Sequence, residues 1–182
     1  MIKIGILGDI GAGKSYVAQN FGYPVFNADY EVAKLYQQNK NVFNNLKIKL
    51  PKHIHSFPVK KIEISNAILA NKNNLNKIIK IVHTEIRKKM NLFLKKNKDS
   101  KIVILDIPLL LENKINKKDD ILVYVQATKF NILKRLKKRK NFNQKLLKKF
   151  KSIQLPITYK KKKSHYIVKN NFTKKSVNDG IK

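Results

Sequence analysis

The sequence predicts an α/β fold built on a parallel sheet. Three observations carry that expectation. An alternating apolar segment, Met1–Leu7, runs straight into a glycine-rich loop and then a helical stretch. Two further runs, Lys101–Leu105 and Ile121–Val125, are almost wholly apolar, the pattern of central parallel strands buried on both faces. Helical segments separate these strands along the chain, which is the order a parallel sheet with crossover helices requires.

Taken in order, Met1–Leu7 is the first strand, Gly8–Gly13 the loop and Lys14–Phe21 the first helix. Tyr23–Asn27 reads as a second short strand, followed by a helix over Tyr30–Gln38 with Val32, Leu35 and Tyr36 on one face. Residues Asn39–Lys61 read as irregular, because Pro51 and Pro58 break any long element. From Leu75 the apolar residues Ile78, Ile79, Val82, Ile86, Met90 and Phe93 recur at the helical period, predicting one long amphipathic helix to about Lys96. After the strands Lys101–Leu105 and Ile121–Val125 come basic helices over Lys129–Lys138 and Gln144–Ile153, and a last strand near Tyr166–Val168. The clusters Lys137–Lys140 and Lys160–Lys163 read as solvated faces or mobile loops.

Composition narrows the function classes. Of 182 residues, 41 are Lys or Arg and 11 Asp or Glu, a net charge of +30, while 42% are hydrophobic, enough for a core. A charge of that size suits nucleic acid. However, only Arg87, Arg135 and Arg139 are arginines, and Asn and Ile are abundant beside Lys. Those three residue types share A/T-rich codons, and the residue best suited to bidentate phosphate and base contacts is the scarce one. The favoured reading is a lysine-rich solvated surface, with no specific nucleic-acid partner. The absence of cysteine excludes disulfides, thiolate metal sites and a cysteine nucleophile, and His53, His55, His83 and His165 are too scattered for a metal centre. No apolar run reaches the roughly 18 residues that span a bilayer, and no export signal opens the chain, so a cytoplasmic location away from membranes is expected.

The sharpest motif is Gly8-Asp9-Ile10-Gly11-Ala12-Gly13-Lys14-Ser15, which satisfies G-x-x-x-x-G-K-[ST] between a strand and a helix. Such a loop turns backbone N–H groups toward phosphate oxygens; Lys14 then reaches the β/γ-phosphates and the Ser15 hydroxyl meets Mg²⁺. ATP and Mg²⁺ are the expected cofactors. Asp29 and Asp106 follow the second and third strands, so both face the edge that carries the loop. Asp106 suits a metal held through water. Asp29 has two compatible readings, a base for an acceptor hydroxyl and a cap for a helix starting at Tyr30.

The phosphate loop, together with VFNADYEVAK (Val25–Lys34), IVHTEIR (Ile81–Arg87), LDIPLLLE (Leu105–Glu112) and the segment Ile153–Asn170, resembles the dephospho-coenzyme A kinase family. The likeness runs from the N-terminus to about Asn171. It implies ATP-dependent phosphorylation of the ribose 3′-hydroxyl of dephospho-CoA. It also implies a three-layer P-loop kinase core with a five-stranded parallel sheet, approximately residues 1–29, 98–135 and 157–182 of one domain spanning 1–182. Residues 30–97 would form a helical acceptor-binding region and 136–156 a lid. On the same basis Asp29 is the general base, and His83 and Arg87, with Pro108 and Leu109, belong to the acceptor side. Arg135 and Arg139, i and i+4 on one helix face, bracket the transferring phosphoryl group. The chain departs from the family pattern at Asn27, Thr84, Ile132 and Ser164-His165. The expected assembly is a monomer or weak homo-oligomer. The alternatives are another small-molecule or nucleotide P-loop kinase, and a basic ATP-binding protein associated with nucleic acid.

Overall fold

A computed structural model describes residues 1–71, 73–140 and 142–182. In chain order its elements are β1 (Ile2–Gly8), α1 (Lys14–Asn20), β2 (Val25–Asn27), α2 (Ala28–Gln38), α3 (Lys40–Lys49), α4 (Lys61–Ala70) and α5 (Asn74–Lys96). Then follow β3 (Ile102–Asp106), β4 (Ile121–Gln126), α6 (Lys129–Lys137), α7 (Gln144–Ser152), α8 (Ile157–Lys163), β5 (Tyr166–Lys169) and α9 (Lys174–Ile181). They fall into two compact units. The first comprises Met1–Ala28, Leu94–Phe142 and Ile153–Lys182, the second Asp29–Phe93 and Asn143–Ser152.

The first unit is organised by one five-stranded sheet in the order β2-β3-β1-β4-β5, with every neighbouring pair parallel. The α/β class and the five parallel strands expected from the sequence are therefore present. Continuous apolar runs become strands here because both faces are covered: Ile6, Val103, Ile104 and Val125 are fully buried. At Gly5 an added Cβ would fall 2.5 Å from Leu110 Cδ2, so the side-chain-free position lets the segment after β3 seat against β1. Asp120, buried just before β4, binds Lys3 Nζ at 2.6 Å and accepts the Lys117 N–H at 2.8 Å, locking the β4 entry to β1. At the sheet edge the His165 N–H donates to Leu122 O at 2.8 Å, and His165 Nδ1 accepts the Leu122 N–H at 2.9 Å. The imidazole thereby supplies the acceptor that a backbone carbonyl would otherwise give.

In the second unit α5 is the long amphipathic helix expected, with Leu75, Ile78, Val82 and Ile86 buried along one stripe. The segment Asn39–Lys61, expected to be irregular, instead contains α3. The Asn39 side chain caps it by accepting the Val42 N–H at 2.9 Å, and Val42 and Leu46, one turn apart, are buried. The prolines lie beyond its end. A further helix, α4, is opened by Glu63 at its third position, which accepts the N–H groups of His55, Ser56 and Lys60. The Lys160–Lys163 cluster, expected as a solvated face or mobile loop, forms the end of α8 in the first unit, and Lys160 is buried. No described helix is long and apolar enough to cross a membrane.

Candidate active site

β1 delivers the glycine loop and α1 leaves it at Lys14. Gly13 is left-handed (φ 92°), and a Cβ there would lie 2.4 Å from Asn170 Nδ2 and 3.3 Å from Arg135 Nη1. Only glycine fits, since Asn170 and Arg135 claim the space and a Cβ would also lie 3.5 Å from the Phe172 ring. Within the loop Asp9 Oδ1 accepts the Ile10 N–H at 2.7 Å and Asp9 O accepts the Ala12 N–H at 3.1 Å. Lys14 Nζ donates to Gly8 O at 3.2 Å and Asp9 O at 3.0 Å, curling over the loop it serves. Ser15 is the second residue of α1.

Asn170, just past the edge strand β5 at the same carboxyl end of the sheet, braces this loop. It is 3% exposed; its Nδ2 donates to Ala12 O at 2.9 Å, and its Oδ1 accepts the Phe172 N–H at 2.8 Å. The second bond stabilises a strained residue, since Phe172 is left-handed with φ 68°. The Phe172 ring then lies under the Arg135 guanidinium, 5.1 Å from centroid to Cζ. Tyr16, Asn131, Lys134, Arg135, Asn170 and Phe172 surround a cavity of about 410 Å³ beside the loop. Tyr16, Asn131 and Phe172 are not marked by any motif; Phe172 is three residues beyond the last strand, where only the backbone shows its purpose.

Arg135 and Arg139 do not share a helix face. α6 ends at Lys137, and Arg139 lies past its end, its N–H donating to Leu136 O at 3.1 Å. Arg135 alone lines the cavity.

Asp106, at the end of β3, is 3% exposed, and its Oδ2 accepts from Asn27 Nδ2 at 2.9 Å across the β2–β3 pairing. Pro108 and Leu109 follow, partly exposed, and Leu110 is buried. Asp9 also affects Tyr124: burial, and then the Asp9 charge, push the phenol above its ordinary pKa.

In the second unit Asp29 is the second residue of α2, which begins at Ala28. Asp29 is therefore inside the first turn and is not the cap expected for a helix starting at Tyr30. There its carboxylate meets the positive end of the helix dipole. His83 and Arg87 are one turn apart on α5. His83 is half-buried, and burial, then the Arg87 charge, hold it below the ordinary histidine value, so it is neutral near pH 7.

A dephospho-CoA kinase family model matches residues 2–176. The chain belongs to the dephospho-CoA kinase family. A dephospho-CoA kinase of Wolbachia pipientis wMel is 32% identical over 184 residues, covering 98% of this chain and 94% of the relative. Among solved structures, TT1252 from Thermus thermophilus superposes with a TM-score of 0.77 at 24% identity, covering 97% of this chain and 92% of that one. A dephospho-CoA kinase from Campylobacter jejuni gives 0.61 at 20% identity, covering 98% and 93%. At those identities the two structures speak for the fold alone. As a member of the dephospho-CoA kinase family the chain is a kinase, and the segment LDIPLLLE forms the end of β3 and the turn after it.

The oxygen donors present fit Mg²⁺. No described cluster of three or more His, Cys, Asp or Glu residues forms a protein cage for a metal. Mg²⁺ bound chiefly by phosphates and water, with a hydroxyl and an outer carboxylate from the protein, needs no such cage.

Proposed function

We propose that this chain transfers the γ-phosphoryl group of ATP to the ribose 3′-hydroxyl of dephospho-CoA, giving coenzyme A. The observation that supports the chemistry is the brace at Asn170, which ties the phosphate loop to the Phe172–Arg135 pair that lines the neighbouring cavity. The Gly8–Ser15 loop, with Asp9, Ile10, Gly11, Ala12 and Gly13 between, binds the phosphates through its N–H groups. The base occupies the neighbouring cavity against Phe172. Lys14 exchanges its carbonyl partners for phosphate oxygens and offsets the charge that develops on the transferring group. Arg135, reaching Gly13, acts on the same phosphates, and Arg139 joins it from the segment beyond α6. Ser15 and, through water, Asp106 would hold Mg²⁺, which supplies charge neutralisation between the β- and γ-phosphates when bound.

On the acceptor side Asp29 takes the proton of the 3′-hydroxyl as the phosphoryl group arrives. Arg87 offers a cation and His83 a neutral imidazole to the acceptor, with Pro108 and Leu109 beside it. Residues 30–97 serve as acceptor region. Residues 136–156 serve as a lid that keeps water from the phosphoryl group. The segment Asn143–Ser152 leaves the first unit and clusters with Asp29–Phe93, which supports its belonging to a body distinct from the sheet that carries the loop. The remaining lysines are solvated surface, in keeping with a small-molecule enzyme of the cytoplasm, monomeric or weakly self-associating.

The test is ATP turnover with dephospho-CoA, AMP, dTMP and pantothenate offered in parallel. Turnover confined to dephospho-CoA is expected. Turnover confined to AMP or dTMP would replace the acceptor while leaving the phosphate loop assigned.

A further inference from the structure

The glutamate that closes LDIPLLLE has no part in the chemistry above, yet its side chain is buried and ion-paired. Glu112 Oε1 binds Lys160 Nζ at 2.7 Å and accepts the Leu155 N–H at 3.0 Å. Both side chains are nearly solvent-free, at 8% and 3% exposure. Lys160 Nζ also reaches Gln154 Oε1 at 3.3 Å. One carboxylate oxygen therefore gathers Leu155 and Lys160, and through Lys160 the side chain of Gln154, while Oε2 is buried with no hydrogen-bond partner among the described residues.

Such a pair is a poor source of stability, because removing two charges from water offsets most of their attraction. What it fixes is position. The chain leaves the first unit after Phe142 and re-enters it at Ile153, so Gln154 and Leu155 are the second and third residues of the return. The turn that presents Glu112 is itself rigid. The Asn113 N–H and side-chain amide both donate to Leu109 O, at 3.1 and 2.9 Å, and the Ile115 N–H donates to Leu110 O at 3.0 Å. Leu110 is seated on β1 at Gly5. A rigid turn rooted in the sheet thus grips the chain just where the Asn143–Ser152 segment ends.

We propose that Glu112 is a positioning residue for the lid: its buried pair with Lys160 is the fixed pivot at residues 154–155 about which the 143–152 segment closes. The proposal rests on the lid reading above. Its function is to make closure complete, so that the acceptor hydroxyl, giving its proton to Asp29, rather than water attacks the γ-phosphorus, and ADP leaves with the electron pair of the broken bond between its bridging oxygen and the γ-phosphorus. Without the pivot the segment closes loosely and water competes.

Single substitutions strand a buried charge and are apt to unfold the chain, so the test uses the neutral double variant Glu112→Leu/Lys160→Met. Full-length wild type and variant are compared by hydrogen exchange of residues 143–152, with and without a non-hydrolysable ATP analogue plus dephospho-CoA. ATP hydrolysis without acceptor is measured beside transfer. In wild type the ligands should slow exchange in that segment. In the variant that protection should fall by about tenfold and hydrolysis relative to transfer rise by about tenfold, with KM for ATP within about twofold of wild type. Wild-type protection and wild-type coupling in a folded variant would overturn the pivot and leave the lid standing. Absence of ligand protection in wild type itself would overturn both. Should the double variant not fold, Glu112→Gln/Lys160→Met keeps the acceptor for Leu155; full protection and coupling there would equally refute a role for the charge pair.

Discussion

Asn27 Nδ2 donates to Asp106 Oδ2 at 2.9 Å, directly across the pairing of β2 with β3. The family pattern often has a second acid at this position, and the amide replaces like-charge repulsion by a hydrogen bond to a buried carboxylate. The Asn27→Asp variant should therefore be less stable than wild type in EDTA, since two carboxylates would share one site. Mg²⁺ with nucleotide should restore more stability to it than to wild type, read as the rise in melting temperature. Equal rises in both proteins would place the metal elsewhere.

Asn170 is the brace between the loop and the Phe172 turn. Asn170→Ala removes the donor to Ala12 O and the acceptor of the Phe172 N–H, leaving buried groups unpaired at a cost of about 1–3 kcal/mol. ATP affinity should fall by about tenfold, since both the loop and the aromatic platform lose their support. Calorimetric titration with ATP checks this, and an unchanged affinity would show that the loop keeps its shape alone.

His83 sets a pH dependence. Its folded pKa lies below the ordinary value because of burial and Arg87. Below the unfolded pKa of roughly 6.5 the unfolded chain takes up a proton that the folded chain resists, so stability is full above that pH and falls as pH drops toward the folded value. Melting curves from pH 7.5 to about pH 5 should show a decline that is smaller in His83→Gln, a variant with no titrating group there. Identical declines would remove His83 as the cause.

Asp29→Asn tests the proton acceptor. The change should lower transfer to dephospho-CoA by roughly 10²–10⁴ while ATP affinity holds. Losing the carboxylate from the first turn of α2 should cost only about 0.3–1 kcal/mol of stability. If Asp29 served the helix alone, turnover would stay near wild type while the melting temperature fell.

The sequence made the phosphate loop legible because its glycines, Lys14 and Ser15 are contiguous and its flanking strand and helix carry their own periods. Asp106 was legible for the same reason, at the end of a fully apolar run. α3 was not: in an Asn- and Lys-rich stretch only Val42 and Leu46 are buried, too few to show a period, and the prolines nearby argue against it. Lys160 was hidden by composition, because a fourfold lysine run reads as surface until a distant Glu112 takes one of them inside. Arg139 lost its helical partner because α6 stops at Lys137, within a lysine run that marks no boundary. Asn170 and Ala12 stand 158 residues apart, and no local pattern connects them.

The most direct measurement is the position of the phosphate in the product formed from dephospho-CoA and ATP, read by phosphorus NMR for wild type and Lys14→Ala. Wild type should give a single new monoester on the ribose 3′-carbon with one ADP per product, and Lys14→Ala should give almost none while remaining folded. A wild-type protein that leaves dephospho-CoA untouched, or a Lys14→Ala variant that phosphorylates it at the wild-type rate, would contradict the account.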